Sequence, residues 1–70
     1  MKQREVTKRI AKAAKAKGIS WELVRQGGNH EVWELGGTVI PIPRHSELGN
    51  RVAEMIWKEC EAHLGKGWWR

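Results

Sequence analysis

No stretch of this 70-residue chain approaches the roughly 18 to 20 consecutive apolar residues that a membrane-spanning helix needs, and its first residues lack the apolar segment that marks a secretory signal. A cytoplasmic protein with no membrane contact is expected. Cysteine occurs once, at Cys60, so no internal disulfide can form and packing alone must hold the fold. Internal repeats and low-complexity linkers are absent as well. A chain of this length supports one hydrophobic core, so the expectation is a single domain over residues 1–70, with a short tryptophan-containing tail from about residue 65. So small a core does not suit an elaborate buried active site.

Acidic residues are scarce in the first quarter of the chain. Lys2, Arg4, Lys8, Arg9, Lys12, Lys15 and Lys17 face only Glu5 there, whereas residues 19–70 hold six basic and seven acidic side chains. The formal net charge of +5 thus resides in one segment. Such a cluster creates a local positive potential that attracts a polyanion, and a nucleic-acid backbone is the simplest one to invoke.

That segment reads as a helix. Between Gln3 and Lys17 the apolar residues Val6, Ile10, Ala13 and Ala14 recur at steps of three and four, with lysines on the other faces and Gly18 placed to end the helix. Two of those four residues are alanine, and the stripe lacks the Leu, Phe or Trp that would insert into lipid. From Ser20 to Arg25, Trp21, Leu23 and Arg25 alternate with Glu22 and Val24, the pattern of a half-buried strand. Gln26, Gly27, Gly28 and Asn29 make a turn; His30 to Leu35 alternates again; Gly36 and Gly37 form a two-residue hairpin loop leading into the β-branched run Thr38 to Ile42. Pro41 and Pro43 cannot donate to a ladder, which puts this third strand at a sheet edge or turns those positions away from its neighbour. A second helix follows, with Leu48, Val52, Met55, Ile56, Cys60 and Leu64 at helical spacing, Ser46 or Asn50 at its start and Gly65 beyond its end. The fold class is α+β, in the order α-β-β-β-α, with both helices on one face of a three-stranded antiparallel sheet.

Register then places the histidines. With Gly36 and Gly37 as the loop, Leu35 pairs with Thr38 and His30 with Pro43, so His45 falls near His30 at one end of the sheet. Trp33, Leu35, Ile40 and Ile42 share the core side, and His30 is sent to the solvent side with Val32, Glu34 and Val39. A wet imidazole beside a glycine turn suits proton transfer near neutral pH. RNA carries its own nucleophile, and taking the proton from a 2′-hydroxyl lets that oxygen attack the adjacent phosphodiester without a metal. Glycines at the turn let backbone N–H groups approach phosphate oxygens.

The segment Trp21-Glu-Leu-Val-Arg-Gln-Gly-Gly-Asn-His30, then Val39-Ile-Pro-Ile-Pro-Arg-His45, then Gly49 opening the last helix, resembles the HicA-type mRNA interferase toxins of type II toxin-antitoxin systems across nearly the whole chain. The resemblance implies a double-stranded-RNA-binding-domain-like fold and an endoribonuclease that cuts mRNA with the histidine of a Gly-Ser/Thr-His motif, here His30. Gly28 and Asn29 precede it, and Pro43, Arg44 and His45 match the family's Pro-x-His element, making Gly28, Asn29, Arg44 and His45 the supporting residues at the phosphate. Asn29 stands where Ser or Thr is usual; its amide still donates and accepts hydrogen bonds. A HicB-type antitoxin that covers this site is the implied protein partner.

The expected division of labour is therefore His30 for proton transfer and Lys8, Arg9, Lys12 and Lys15 for the RNA backbone, with no cofactor, no metal and no direct contact to DNA. Cys60 and His63, three apart, make a poor zinc pair, because Cys60 lies in an apolar stripe. Trp21, Trp33 and Trp57 fall on packing patterns, whereas the spacing leaves Trp68 and Trp69 either packed back on the domain or docking a partner. The alternative function is a non-catalytic RNA-binding module that uses the same basic helix; a purely structural interaction domain is a third.

Overall fold

A computed structural model describes all 70 residues. The amphipathic N-terminal run forms α1 (Gln3–Lys17), and three antiparallel strands follow, β1 (Trp21–Gly27), β2 (His30–Leu35) and β3 (Thr38–Pro43), before α2 (Asn50–Glu59) and α3 (Glu61–Leu64). The sheet order is β1-β2-β3, which leaves β3 and its two prolines at an edge as expected. Gly18 ends α1 in the left-handed conformation, its N–H bonding the Ala14 and Lys15 carbonyls.

The core lies between the helices and one face of the sheet. Val6, Ile10 and Ala14 of α1 meet Leu35, Ile40 and Ile42 of the strands, and Leu48, Ala53, Ile56, Trp57, Cys60 and Leu64 close it from the C-terminal side. Every buried residue is apolar or the single cysteine. On the last helical segment the structure rotates the expected stripe. Val52 and Met55 are exposed, and Ala53 and Trp57 occupy the core, because the stripe runs Ala53–Ile56–Trp57–Cys60–Leu64 and Leu48 belongs to the preceding loop.

The single helix expected there is broken at Cys60. Its thiol donates to the Ile56 carbonyl at 3.4 Å, while its backbone N–H bonds Trp57 at 3.0 Å, three residues back instead of four. The helix tightens, and the Trp57 carbonyl also accepts the indole N–H of Trp68 at 2.8 Å. That bond folds the tail onto the domain. Trp57, Trp68 and Trp69 form one aromatic cluster with ring centroids 5.9 to 6.2 Å apart. Neither Ser46 nor Asn50 caps α2: Gly49 holds the N-cap position, with no side-chain cap bond.

Two hairpins set the register. The β2–β3 turn is Gly36–Gly37, both at positive φ (54° and 89°), and it pairs Leu35 with Thr38 and His30 with Pro43, as the spacing predicts. The β1–β2 loop is shorter than the four-residue turn expected. Gln26 and Gly27 extend β1, Gly27 pairs with His30, and only Gly28 and Asn29 turn, Gly28 at φ 58°. The strict alternation of β1 also fails. The ladder slips between Leu23 and Arg25, leaving Val24 as an extra residue. Trp21 and Leu23 stay on the helix side of the sheet, opposite Leu35 and Trp33, but only Trp21 is partly buried and Leu23 is 38% exposed, so β1 is not the half-buried strand expected. Arg25 is opposite Val32 and so moves to the solvent face.

The β2–β3 turn is locked from the helix side. His63 of α3 meets the Thr38 hydroxyl through its Nε2 at 2.8 Å, and its ring lies so close to Gly36 that a Cβ there would come within 2.9 Å of it. Gly36→Ala combines that clash with an unfavourable left-handed φ, and the expected loss is about 1–3 kcal/mol of stability. Chemical denaturation should show it as a lower midpoint with an unchanged slope, whereas Gly37→Ala meets no neighbouring atom and tests the φ contribution alone.

Candidate active site

Strand parity and turn geometry place His30 first. It opens β2 at the end of the sheet, between Gly27 on one side and Pro43 on the other, exposed on the face away from the helices, and its ring makes no hydrogen bond or ion pair within the chain. The turn beside it is open. A Cβ built at Gly27 or Gly28 would meet nothing within 4 Å, so a bulky ligand can approach that backbone. Asn29 is exposed at the same bend.

One backbone hydrogen bond joins the two motifs. The Arg44 N–H donates to the Asn29 carbonyl at 2.9 Å, continuing the β2–β3 ladder one step past His30–Pro43 and bringing the Arg44–His45 segment to the Gly28–Asn29 turn. The same segment is held from its far side by the start of the chain. Gln3 N–H bonds the Ser46 carbonyl at 3.0 Å, Met1 and Leu48 exchange bonds through their backbones at 2.7 and 2.9 Å, and Lys2 forms an isolated antiparallel bridge with Glu47. The loop from Arg44 to Leu48 is thus tethered at both ends, although it has no regular structure.

Gln3 completes the connection with its side chain, donating to the Glu31 carboxylate at 3.0 Å and to the Pro43 carbonyl at 3.3 Å. Glu31 in turn accepts from the Trp33 indole at 2.9 Å. Gln3, Glu31, Arg44, His45 and Ser46 line a shallow, wholly polar hollow, which continues past Gln3 and Ser46 into a second one reaching Lys2 and Arg4. His30 lines neither hollow. The two histidines occupy the same end of the sheet, but His45 shares a hollow with Glu31 of the helix-covered face, whereas His30 lies on the open face.

Arg25 is the residue that alternation misplaced. The Val24 bulge sets it on the open face opposite Val32, diagonal to His30, where such neighbours lie about 7–8 Å apart. The only trace in the sequence is that two glycines and a polar run follow a strand whose alternation would otherwise bury an arginine.

The basic residues of α1 separate into two groups. Lys8, Lys12 and Lys15 project opposite the Val6–Ile10–Ala14 stripe, into solvent on the helix layer. Arg9 is turned aside, with its guanidinium 5.3 Å from the centre of the Trp57 ring. These side chains and His30 therefore lie on opposite layers, joined around the sheet end by Arg44 and Arg4. Cys60 and His63 diverge, the thiol pointing to Ile56 and the imidazole to Thr38, and no three His, Cys, Asp or Glu side chains gather as a metal site would require. Burial, with the Glu59 charge behind it, pushes the Cys60 thiol up to about 12, which suits a packing role.

No helix is long and apolar enough to cross a membrane. Comparison with protein-family models, curated proteins and solved structures gives no match to the chain.

The tether on the Arg44–Leu48 loop titrates. Glu47 sits 3.0 Å from the Met1 ammonium and 3.1 Å from the Lys2 ammonium. The Met1 hydrogen bond first, and then that of Lys2 with its charge, holds the carboxyl below its ordinary 4.5. A depressed carboxylate stabilises the fold fully above the unfolded value and loses that contribution as pH falls through the folded one. Melting temperature should therefore fall on acidification below about pH 4.5 by slightly more in the unsubstituted protein than in Glu47→Gln, a modest difference because the pair is exposed.

Proposed function

We propose that this chain is a metal-independent endoribonuclease of the HicA type, the toxin half of a toxin-antitoxin pair, with His30 as its proton-transfer residue. The observation that carries the reading is the Arg44–Asn29 hydrogen bond, which joins the Gly-Gly-Asn-His turn to the Pro-Arg-His segment beside an exposed imidazole. The α-β-β-β-α order agrees with it.

In this mechanism the neutral His30 ring takes the proton of an RNA 2′-hydroxyl. The freed oxygen attacks the adjacent phosphorus, the bond to the 5′-oxygen breaks, and that oxygen takes a proton from water at this open site. A 2′,3′-cyclic phosphate and a 5′-hydroxyl result. Charge builds on the phosphate oxygens in the transition state, where Arg25 on the face of His30, Arg44 at the bend and the N–H groups of the Gly28–Asn29 turn supply positive potential. His45 supports the strand from the neighbouring hollow. From there the backbone runs past Arg4 to Lys8, Lys12 and Lys15, which hold it by charge.

The open sheet face also suits an antitoxin of the HicB type. Val39, 53% exposed, and Pro41 lie on that face with His30, so a protein seated there would cover the imidazole and an apolar patch together.

Cleavage, binding and melting measurements test the reading. Purified protein should cut mRNA in the presence of chelator, leave DNA of the same sequence intact, and give cyclic phosphate ends; His30→Ala should abolish cleavage while retaining RNA binding. Arg25→Ala should lower the cleavage rate by about 10-fold or more with little change in melting temperature, since it removes charge at the phosphate and no core contact. Cleavage that stops in chelator, or that survives His30→Ala, rejects the mechanism. RNA binding without any cleavage by the unsubstituted protein supports the non-catalytic module instead.

A further inference from the structure

The tail encloses a second feature on the helix layer. Arg9, Lys12, Ala13 and Ala16 of α1 form one wall of a shallow groove of about 520 Å³, and Trp68 and Trp69 form the other. Two alanines leave the helix wall low, so a flat group can lie between it and the indoles. Two cations border the groove and no acidic side chain lines it. The indole pair is seated on the domain: Trp68 donates to the Trp57 carbonyl at 2.8 Å, and Trp69 is stacked on the Trp57 ring at 6.2 Å. Arg70 lies over Trp69 at 5.4 Å, but it borders the hollow on the α2 side with Met1, Asn50 and Glu54, leaving the α1 side of the pair to the groove.

We infer that this groove is a binding site for single-stranded RNA, which lays an unpaired base against Trp68 and Trp69 while its phosphates meet Arg9 and Lys12. A polyanion with exposed aromatic faces satisfies both walls at once. An acidic peptide satisfies only the cations, and a duplex keeps its bases stacked away from the indoles. The inference rests on RNA being the ligand of this chain and adds a preference for unpaired segments, read about one helix layer away from His30.

The test uses the full chain and a short fluorescein-labelled oligoribonucleotide with methylated 2′-hydroxyls, single-stranded or annealed to its complement, followed by fluorescence anisotropy. Methylation blocks attack by the 2′-oxygen, so binding is read independently of whether His30 cleaves anything. Trp69→Leu removes the stacking surface, and Ala16→Leu fills the groove without changing charge or the core; each should weaken single-strand binding roughly fivefold or more and bring it down toward duplex binding. Lys8→Ala, outside the groove, should weaken both forms alike and lower the salt dependence. Should Trp69→Leu unfold the tail, seen as a lower melting temperature, Ala16→Leu on the exposed helix surface decides alone. Unchanged single-strand affinity in Ala16→Leu, or equal affinity for duplex in the unsubstituted protein, overturns the site. Loss of a co-purifying acidic protein with no change in RNA affinity assigns the groove to a protein partner instead and likewise overturns it.

Discussion

The Gly36–Gly37 turn is the constraint on which the remaining geometry rests. Two successive residues at positive φ leave the β2 and β3 strands no freedom of register, and a slip of one residue would exchange the two faces of the sheet. With the register held, Leu35, Ile40 and Ile42 go under the helices and His30 goes to water. His63 reinforces the same turn from the last helix, its ring lying against Gly36 and its Nε2 meeting Thr38. The chemistry proposed for the imidazole thus depends on a bend at the far end of its own strand.

Much of this was legible because short-range patterns carry it. The α1 boundaries follow from apolar spacing and Gly18, and the His30–Pro43 pairing follows from counting back along two strands from a two-glycine loop. What was not legible depends on contacts between distant segments. The bulge at Val24 leaves no mark in composition, yet it decides which face Arg25 occupies. The break at Cys60 comes with a thiol bond to the carbonyl four residues back and a backbone bond three residues back, and the rotation that exposes Val52 and Met55 and buries Ala53 accompanies the way the last helices meet the sheet. The tether between Met1–Gln3 and Ser46–Leu48 joins segments more than forty residues apart. Spacing puts His45 at the His30 end of the sheet; it does not foretell that His45 lines a polar hollow with Gln3 and Glu31 there.

The exposed basic and aromatic groups consequently divide between two layers. The sheet offers a bare face with a histidine and an arginine at its end, and the helices offer lysines and a tryptophan-lined groove. Arg9 belongs to both descriptions of the helix layer: it adds to the positive potential, and its guanidinium over Trp57 helps to fasten the aromatic cluster. On the proposed reading, a flexible strand of RNA wraps from one layer to the other around the sheet end, whereas a stiff duplex lies along one layer only.

The irregularities of the outer strands also govern how copies of this chain behave toward each other. On β3 the prolines at 41 and 43 remove two ladder donors, and on β1 the Val24 bulge interrupts the spacing of the remaining ones. Neither margin is a straight template on which a further strand can zip, so the protein is guarded against end-to-end polymerisation at high concentration. A partner that pairs with either margin finds an interrupted ladder there, whereas the broad sheet face is continuous.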